Sequence, residues 1–232
     1  MTRPSTIKLY DGPSELDGKR IVVLLTGLRV QSSNTKTGHM LQTWILRHDE
    51  APHTTQKTGK DASVCGNCPL RPALFNKGEV SERSCYVRTF QAPRSTWAAN
   101  RNLPVTPLPA ARALIGGRNV RRGSYGDPAA VPVWVWLGIA DVPGTGYTHQ
   151  WQDHSLQGHV MASIHTPGQR KAAKARGYRT FRVLRNVRKL QEGEILCPAS
   201  KEAGAKTTCA KCGLCNGARP DDKRKDIAIV AH

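Results

Sequence analysis

From residue 119 onward the chain repeats one pattern, and that pattern limits the fold more than any other feature. Short runs of strand-forming residues begin near positions 120, 146, 159, 179 and 194. Between them lie connectors that can carry helices. Residues 129–140 follow Pro128, residues 151–156 suit a short helix or turn, and residues 167–176 read as a Lys/Arg-rich helix. Gly177 stops that helix, where a residue with positive φ is wanted. Parallel neighbours need such crossovers, so the rhythm predicts an α/β fold with a parallel sheet. A compact (β/α) barrel-like form is expected, complete or incomplete, since 232 residues fall short of the roughly 250 typical of eight repeats.

Upstream, residues 19–28 (KRIVVLLTGL) and 40–46 (MLQTWIL) read as strands, linked through a turn at Asn34-Thr35-Lys36-Thr37-Gly38. Residues 48–64 read as a polar loop, and 92–100 and 109–114 as helices. One domain over 1–232 is expected, with N-terminal strands (1–60), a cysteine knuckle (61–90) and a C-terminal metal-binding loop (197–217). The longest apolar run, residues 131–140, is ten residues long and contains a proline, whereas a bilayer span needs about 20. The N-terminus lacks the apolar stretch of a signal peptide. The expectation is a soluble, non-exported chain with no membrane partner.

Charge narrows the function. Lys+Arg number 35 against 17 Asp+Glu, a net +18, well above the magnitude of about 2–8 that solubility asks for. Such an excess predicts a polyanionic partner, nucleic acid with DNA ahead of RNA. Arg118, Arg121, Arg122, Lys171 and Lys174 are the candidates for backbone phosphates.

The expected strands stop at polar residues. These include Tyr125-Gly126-Asp127, Tyr147-Thr148-His149, Ser163-Ile164-His165, Arg182 and Cys197. Active sites of parallel α/β folds collect at carboxyl ends of strands. Asp127 and His149 are therefore the catalytic candidates, and Tyr125, Tyr147, Ser163, His165 and Arg182 the substrate-binding ones. Asp127 equally suits a helix cap, because the order Asp-Pro opens a helix.

Seven cysteines, an odd count in a chain read as intracellular, argue for metal or catalysis over disulfides. Cys197, Cys209, Cys212 and Cys215 carry the spacing x11, x2, x2, four soft ligands for zinc or an iron–sulfur cluster, with zinc ahead. Cys65, Cys68 and Cys85 form a trio that would hold a second metal or cluster with one position open, or would be small buried hydrophobes.

Several strings together resemble a cysteine-rich family of bacteriophage proteins. They are Asn34–Gly38, Cys65-Gly66-Asn67-Cys68-Pro69, Cys85-Tyr86-Val87, residues 123–128 (GSYGDP), residues 146–151 (GYTHQW) and the C-terminal cysteine group. That resemblance implies a phage origin, and so the cytoplasm of an infected bacterium, more than an activity. A more partial similarity is to the tRNA-guanine transglycosylase superfamily and to phage relatives that place 7-deazaguanine in DNA. It implies a TIM-type barrel, Asp127 as acid or nucleophile, and the C-terminal cysteines as zinc ligands. This chain departs from that pattern in lacking a second obvious catalytic Asp and in carrying the extra cysteine trio.

The first functional expectation is thus a DNA-modifying, base-exchanging transferase. The alternatives are an iron–sulfur enzyme of radical type acting on nucleic acid or a nucleotide, and a non-enzymatic, zinc-stabilised DNA-binding protein.

Overall fold

Three antiparallel strands open the chain: β1 (Thr6–Pro13), β2 (Arg20–Thr26) and β3 (Leu41–Arg47). Every residue from Ile21 to Leu25 is fully buried, so β2 is covered on both faces and reads as a continuous apolar run. The computed structural model describes residues 3–30, 34–71, 85–184 and 189–230. Residues 72–84 of the expected knuckle lie outside them.

From β3 onward the pairing is parallel, through β4 (Val120–Tyr125), β5 (Gly144–Thr148), β6 (Met161–Ile164) and β7 (Thr180–Leu184). The last strand, β9 (Asp226–Val230), inserts beside β7 and separates it from β8 (Glu194–Leu196). The result is a nine-stranded, mostly parallel α/β sheet in the order β1-β2-β3-β4-β5-β6-β7-β9-β8. A closed barrel would add a ladder between β1 and β8, and among the described residues none is present.

The excursion between β3 and β4 carries α1 (Pro52–Thr58), α2 (Ala62–Cys65), α3 (Ala92–Asn100) and α4 (Leu108–Ile115). The loop expected over 48–64 is therefore largely helical. Some of its polar residues turn inward to partners: Thr55 and Gln56 are buried, and Gln56 Oε1 accepts from Thr89 Oγ1 at 2.7 Å. The helix expected over 129–140 divides into a 3-10 turn, Pro128–Ala130, and α5 (Val133–Leu137). Pro132 stands between them, and a ring without an N–H interrupts a helical ladder. By contrast α6 (Pro167–Ala175) forms close to its expected bounds, under a capping box of Thr166 and Gln169.

Three apolar clusters fill the interior. The largest joins β1–β4 to Val64, Ala111, Val135 and Trp136. In β6 successive side chains diverge, as strand geometry requires. Ala162 and Ile164 pack with Trp151, Ala173 and Tyr178, whereas Met161 packs with Cys197, Cys215 and Ile227. The C-terminal cysteines and α6 therefore meet β6 through alternate residues.

Arg182 is tied into the frame. Its Nε donates to Glu194 at 2.8 Å and its Nη2 to the Lys189 carbonyl. Burial opposes ionisation of Glu194, but hydrogen bonds from Arg182 and the Gln191 amide outweigh it and hold the carboxyl below its ordinary range. A carboxylate held low stabilises the fold above its unfolded value near 4.3, and that contribution is lost as pH falls through the folded value. Glu194→Gln is expected to cost about 1.5–3 kcal/mol at pH 7, the worth of hydrogen bonds to a charged group. The deficit should shrink below about pH 4, as urea unfolding at both pH values will show.

Candidate functional site

Two glycines with positive φ shape this end of the strand, Gly123 at 75° within β4 and Gly126 at 84° in the turn after it. That turn delivers Asp127, whose N–H donates to the Val64 carbonyl at 2.6 Å and so ties α2 to the end of β4. Both Asp127 oxygens are engaged: Oδ1 accepts from the Ala129 amide at 2.9 Å, and Oδ2 from the His149 amide at 2.7 Å. Burial pushes its carboxyl up, opposed by hydrogen bonds from Thr148, Ala129, His149 and Gln150. Asp127 thus caps the 3-10 turn, the capping reading of Asp-Pro, and it also fixes the main chain of His149.

The Cys65–Cys68 knuckle hangs from a buried ion pair. Arg71 Nη2 lies 2.7 Å from Asp61 Oδ1, and the same guanidinium donates to the carbonyls of Gly59 and Gly66. The Cys68 amide closes the knuckle on the Cys65 carbonyl at 3.2 Å. Gly66, at φ 56°, lies against the Gln150 amide, where a Cβ would come within 2.5 Å of Gln150 Cδ. The knuckle is in this way seated on the carboxyl end of β5.

There the Cys68 thiol meets an imidazole. Cys68 Sγ lies 3.9 Å from His149 Nε2, and that nitrogen lies 3.2 Å from His165 Nε2. The two rings stack at 5.3 Å between centroids, 11° from parallel. Burial, with the neighbouring His165, lowers the His149 pKa to about 3, and burial also lowers that of His165. His149 is therefore neutral at pH 7, and burial favours the neutral form of His165. Burial pushes the Cys68 thiol up to about 12, opposed by the Leu70 amide and reinforced by Cys85 and Asp127. The same imidazoles line a cavity of about 170 Å³ with Asn67, Trp151, Ser163 and Gln169.

No protein-family model, curated protein or solved structure matches this chain.

Of the residues expected from strand ends, His149, Ser163 and His165 share this cavity. The others are placed elsewhere, for physical reasons. Asp127 is enclosed by its donors, and Tyr125 is buried in the main core at 4% exposure. Tyr147 packs tilted against Phe181, with ring centroids 4.3 Å apart, beside Cys215. Arg182 is locked to Glu194. Among the phosphate candidates, Arg118 caps α4 through the carbonyls of Leu114 and Ile115 and also bonds Gly27. Arg122 is buried, donating to the Ile139 and Val142 carbonyls. Arg121 bonds the Tyr86 hydroxyl and lies 5.9 Å from the centroid of the Tyr147 ring. Lys171 and Lys174 stay exposed on α6, the helix whose Gln169 borders the cavity; Lys174 pairs loosely with Asp226 at 3.5 Å.

Sequence reading passed over Arg71, Gln150 and Gln169. Gln169 carried a signal: Thr-x-x-Gln ahead of a helix is a capping box, and Gln169 Oε1 accepts the His165 amide at 2.7 Å.

The C-terminal thiols gather on another side of the sheet. Cys215 and Cys197 are buried with Met161 and Ile227. Burial, then the charges of Cys197, Cys209 and Cys212, push the Cys215 thiol up to about 12 against a hydrogen bond from Tyr147. The Asn34–Gly38 turn holds this loop: the Cys209 amide donates to the Lys36 carbonyl at 2.8 Å and the Ala210 amide to Thr37 at 3.2 Å. In a short helix, α7 (Cys209–Cys212), Thr208 caps the first turn. Among the described residues, no three His, Cys, Asp or Glu side chains already surround a common point as an ion site would. Nor is any helix among them long and apolar enough to cross a membrane.

Proposed function

We propose that this chain is an enzyme that modifies nucleic acid or a nucleotide, working in the cavity at the carboxyl ends of β5 and β6. The observation that carries this reading is the meeting of His149, Ser163 and His165 there, beside the Cys68 thiol. Buried, neutral imidazoles present lone pairs rather than charge to what the cavity holds. A cavity of about 170 Å³ lined by both polar and apolar side chains suits a planar base taken out of its stack, with Trp151 at its wall. The net +18, including Lys171 and Lys174, supplies attraction for the phosphate backbone.

Within that class, base exchange by attack of Asp127 on a sugar carbon would first require its release from the Ala129, His149, Thr148 and Gln150 donors. The chemistry is therefore assigned to the lone pairs of His149 and His165, and positioning to Asp127. Four soft sulfurs at Cys197, Cys209, Cys212 and Cys215 remain our proposed zinc or iron–sulfur ligands, a set that would stabilise the fold around β5 and β9.

The test is nucleoside mass spectrometry on DNA and RNA from bacteria producing the chain. A new or altered nucleoside is expected with the wild type and not with His165→Ala. Unchanged nucleosides in both nucleic acids would overturn the reading.

A further inference from the structure

Of the expected trio Cys65, Cys68 and Cys85, the fold brings Cys68 beside His149, whose Nε2 also faces His165. We propose that Cys68, His149 and His165 are the protein ligands of a divalent transition metal, zinc or a similar ion, whose remaining position opens onto the cavity. This deepens the reading above by naming what the reaction site holds.

The geometry argues for it in three ways. First, one nitrogen, His149 Nε2, faces both Cys68 Sγ at 3.9 Å and His165 Nε2 at 3.2 Å. A single N–H cannot serve two such neighbours well, whereas a cation among three lone pairs satisfies them all. Second, the spacings approach the edges of a coordination tetrahedron. Zn–N bonds of about 2.0–2.1 Å and Zn–S bonds of about 2.3 Å give edges of about 3.3 Å between imidazoles and about 3.6 Å from imidazole to sulfur. The imidazole edge is already met. The sulfur stands a few tenths of an ångström outside, so the three donors do not yet surround a common point, and binding the ion requires Cys68 to move inward.

Third, the donors sit on a braced frame. Asp127 holds the His149 amide, Gln169 holds the His165 amide, and Arg71 holds the knuckle. Three protein ligands with a fourth position facing a cavity are the arrangement of a catalytic ion, and a closed tetrad that of a structural one. When bound, such an ion would act as a Lewis acid toward a group in the cavity.

The test uses the full-length chain stripped of metal and titrated with Co(II). The wild type is expected to develop the absorption of a four-coordinate site with thiolate-to-cobalt charge transfer. Cys68→Ser and His165→Ala should each weaken one binding step by more than about 100-fold, since losing even an outer-shell partner costs about 10–100-fold. Cys212→Ser should leave that step in place. Unchanged stoichiometry and spectrum in both cavity variants would overturn the site. Should either variant fail to fold, X-ray absorption of the zinc-loaded wild type decides. Multiple scattering from imidazole is expected, and a sulfur-only shell would refute the assignment. Cobalt binding as described, with no altered nucleoside, would retain the ion site and remove the proposed activity. Altered nucleosides with no cobalt step would do the reverse.

Discussion

Replacing Asp226 with alanine is expected to lower the unfolding free energy by about 3–5 kcal/mol, the cost of removing one partner of a buried ion pair. The Asp226 side chain has no solvent exposure and lies 2.8 Å from Arg170 Nη2. Its other oxygen accepts the Thr180 amide at 2.9 Å. The carboxylate thus joins the start of β9 to the start of β7 and to α6 (Pro167–Ala175), at the place where β9 inserts between β7 and β8. Without it, the Arg170 charge and the Thr180 N–H lose their partner together. For a chain of this length a loss of that size lowers the melting temperature by roughly 6–20 °C. Calorimetry against the parent checks this, and a shift under about 2 °C would show that the knot contributes little.

Gly126→Ala is expected to cost about 2–5 kcal/mol, combining a left-handed backbone with overpacking. Gly126 has φ +84°, and a Cβ there would lie 2.6 Å from Ile45 Cβ and 2.8 Å from the Ile45 carbonyl oxygen. Backbone on one side and a β-branched core residue on the other leave nothing to yield. Gly18 is the internal control. Its φ is +74° but no atom lies within 4 Å of its added Cβ, so Gly18→Ala should cost only the backbone part, about 1–2 kcal/mol. Paired urea unfolding curves separate the two effects, and equal costs would rule out the clash. Because Gly126 precedes Asp127, its substitution should also disturb the His149 main chain, visible as altered Co(II) absorption.

Much of the fold was legible in the sequence wherever a local pattern and the tertiary environment agree. The strand over Val120–Tyr125, the helix over Ala92–Asn100 and the α6 segment form as their residues predict. In each, apolar spacing, proline at the start or a stop signal points one way. β1 escaped notice because it ends in Asp-Gly-Pro, residues of turns, yet at the sheet edge the missing N–H of Pro13 costs nothing. β9 escaped because it follows a charged stretch, and its pairing with β7 is a long-range choice that no local window holds.

The site divides in the same way. His149, Ser163 and His165 were expected from their place at strand ends, and they do share one cavity. The arginines could not be sorted by that logic. Arg118, Arg122 and Arg182 are as basic as the surface lysines, but their guanidiniums find carbonyls or a carboxylate within the fold, and Arg121 meets the Tyr86 phenol at the surface. Which cation turns inward depends on partners far away in the chain. Gly27 and Arg118, for example, are 91 residues apart. The knuckle shows the same limit: spacing announced Cys65 and Cys68, while their neighbour His149 is 81 residues beyond Cys68.

Anomalous diffraction from crystals of the zinc-loaded chain tests the central claim most directly. A peak within bonding distance of Cys68 Sγ, His149 Nε2 and His165 Nε2 is predicted. A well-occupied zinc elsewhere, with those three side chains unligated, would contradict it.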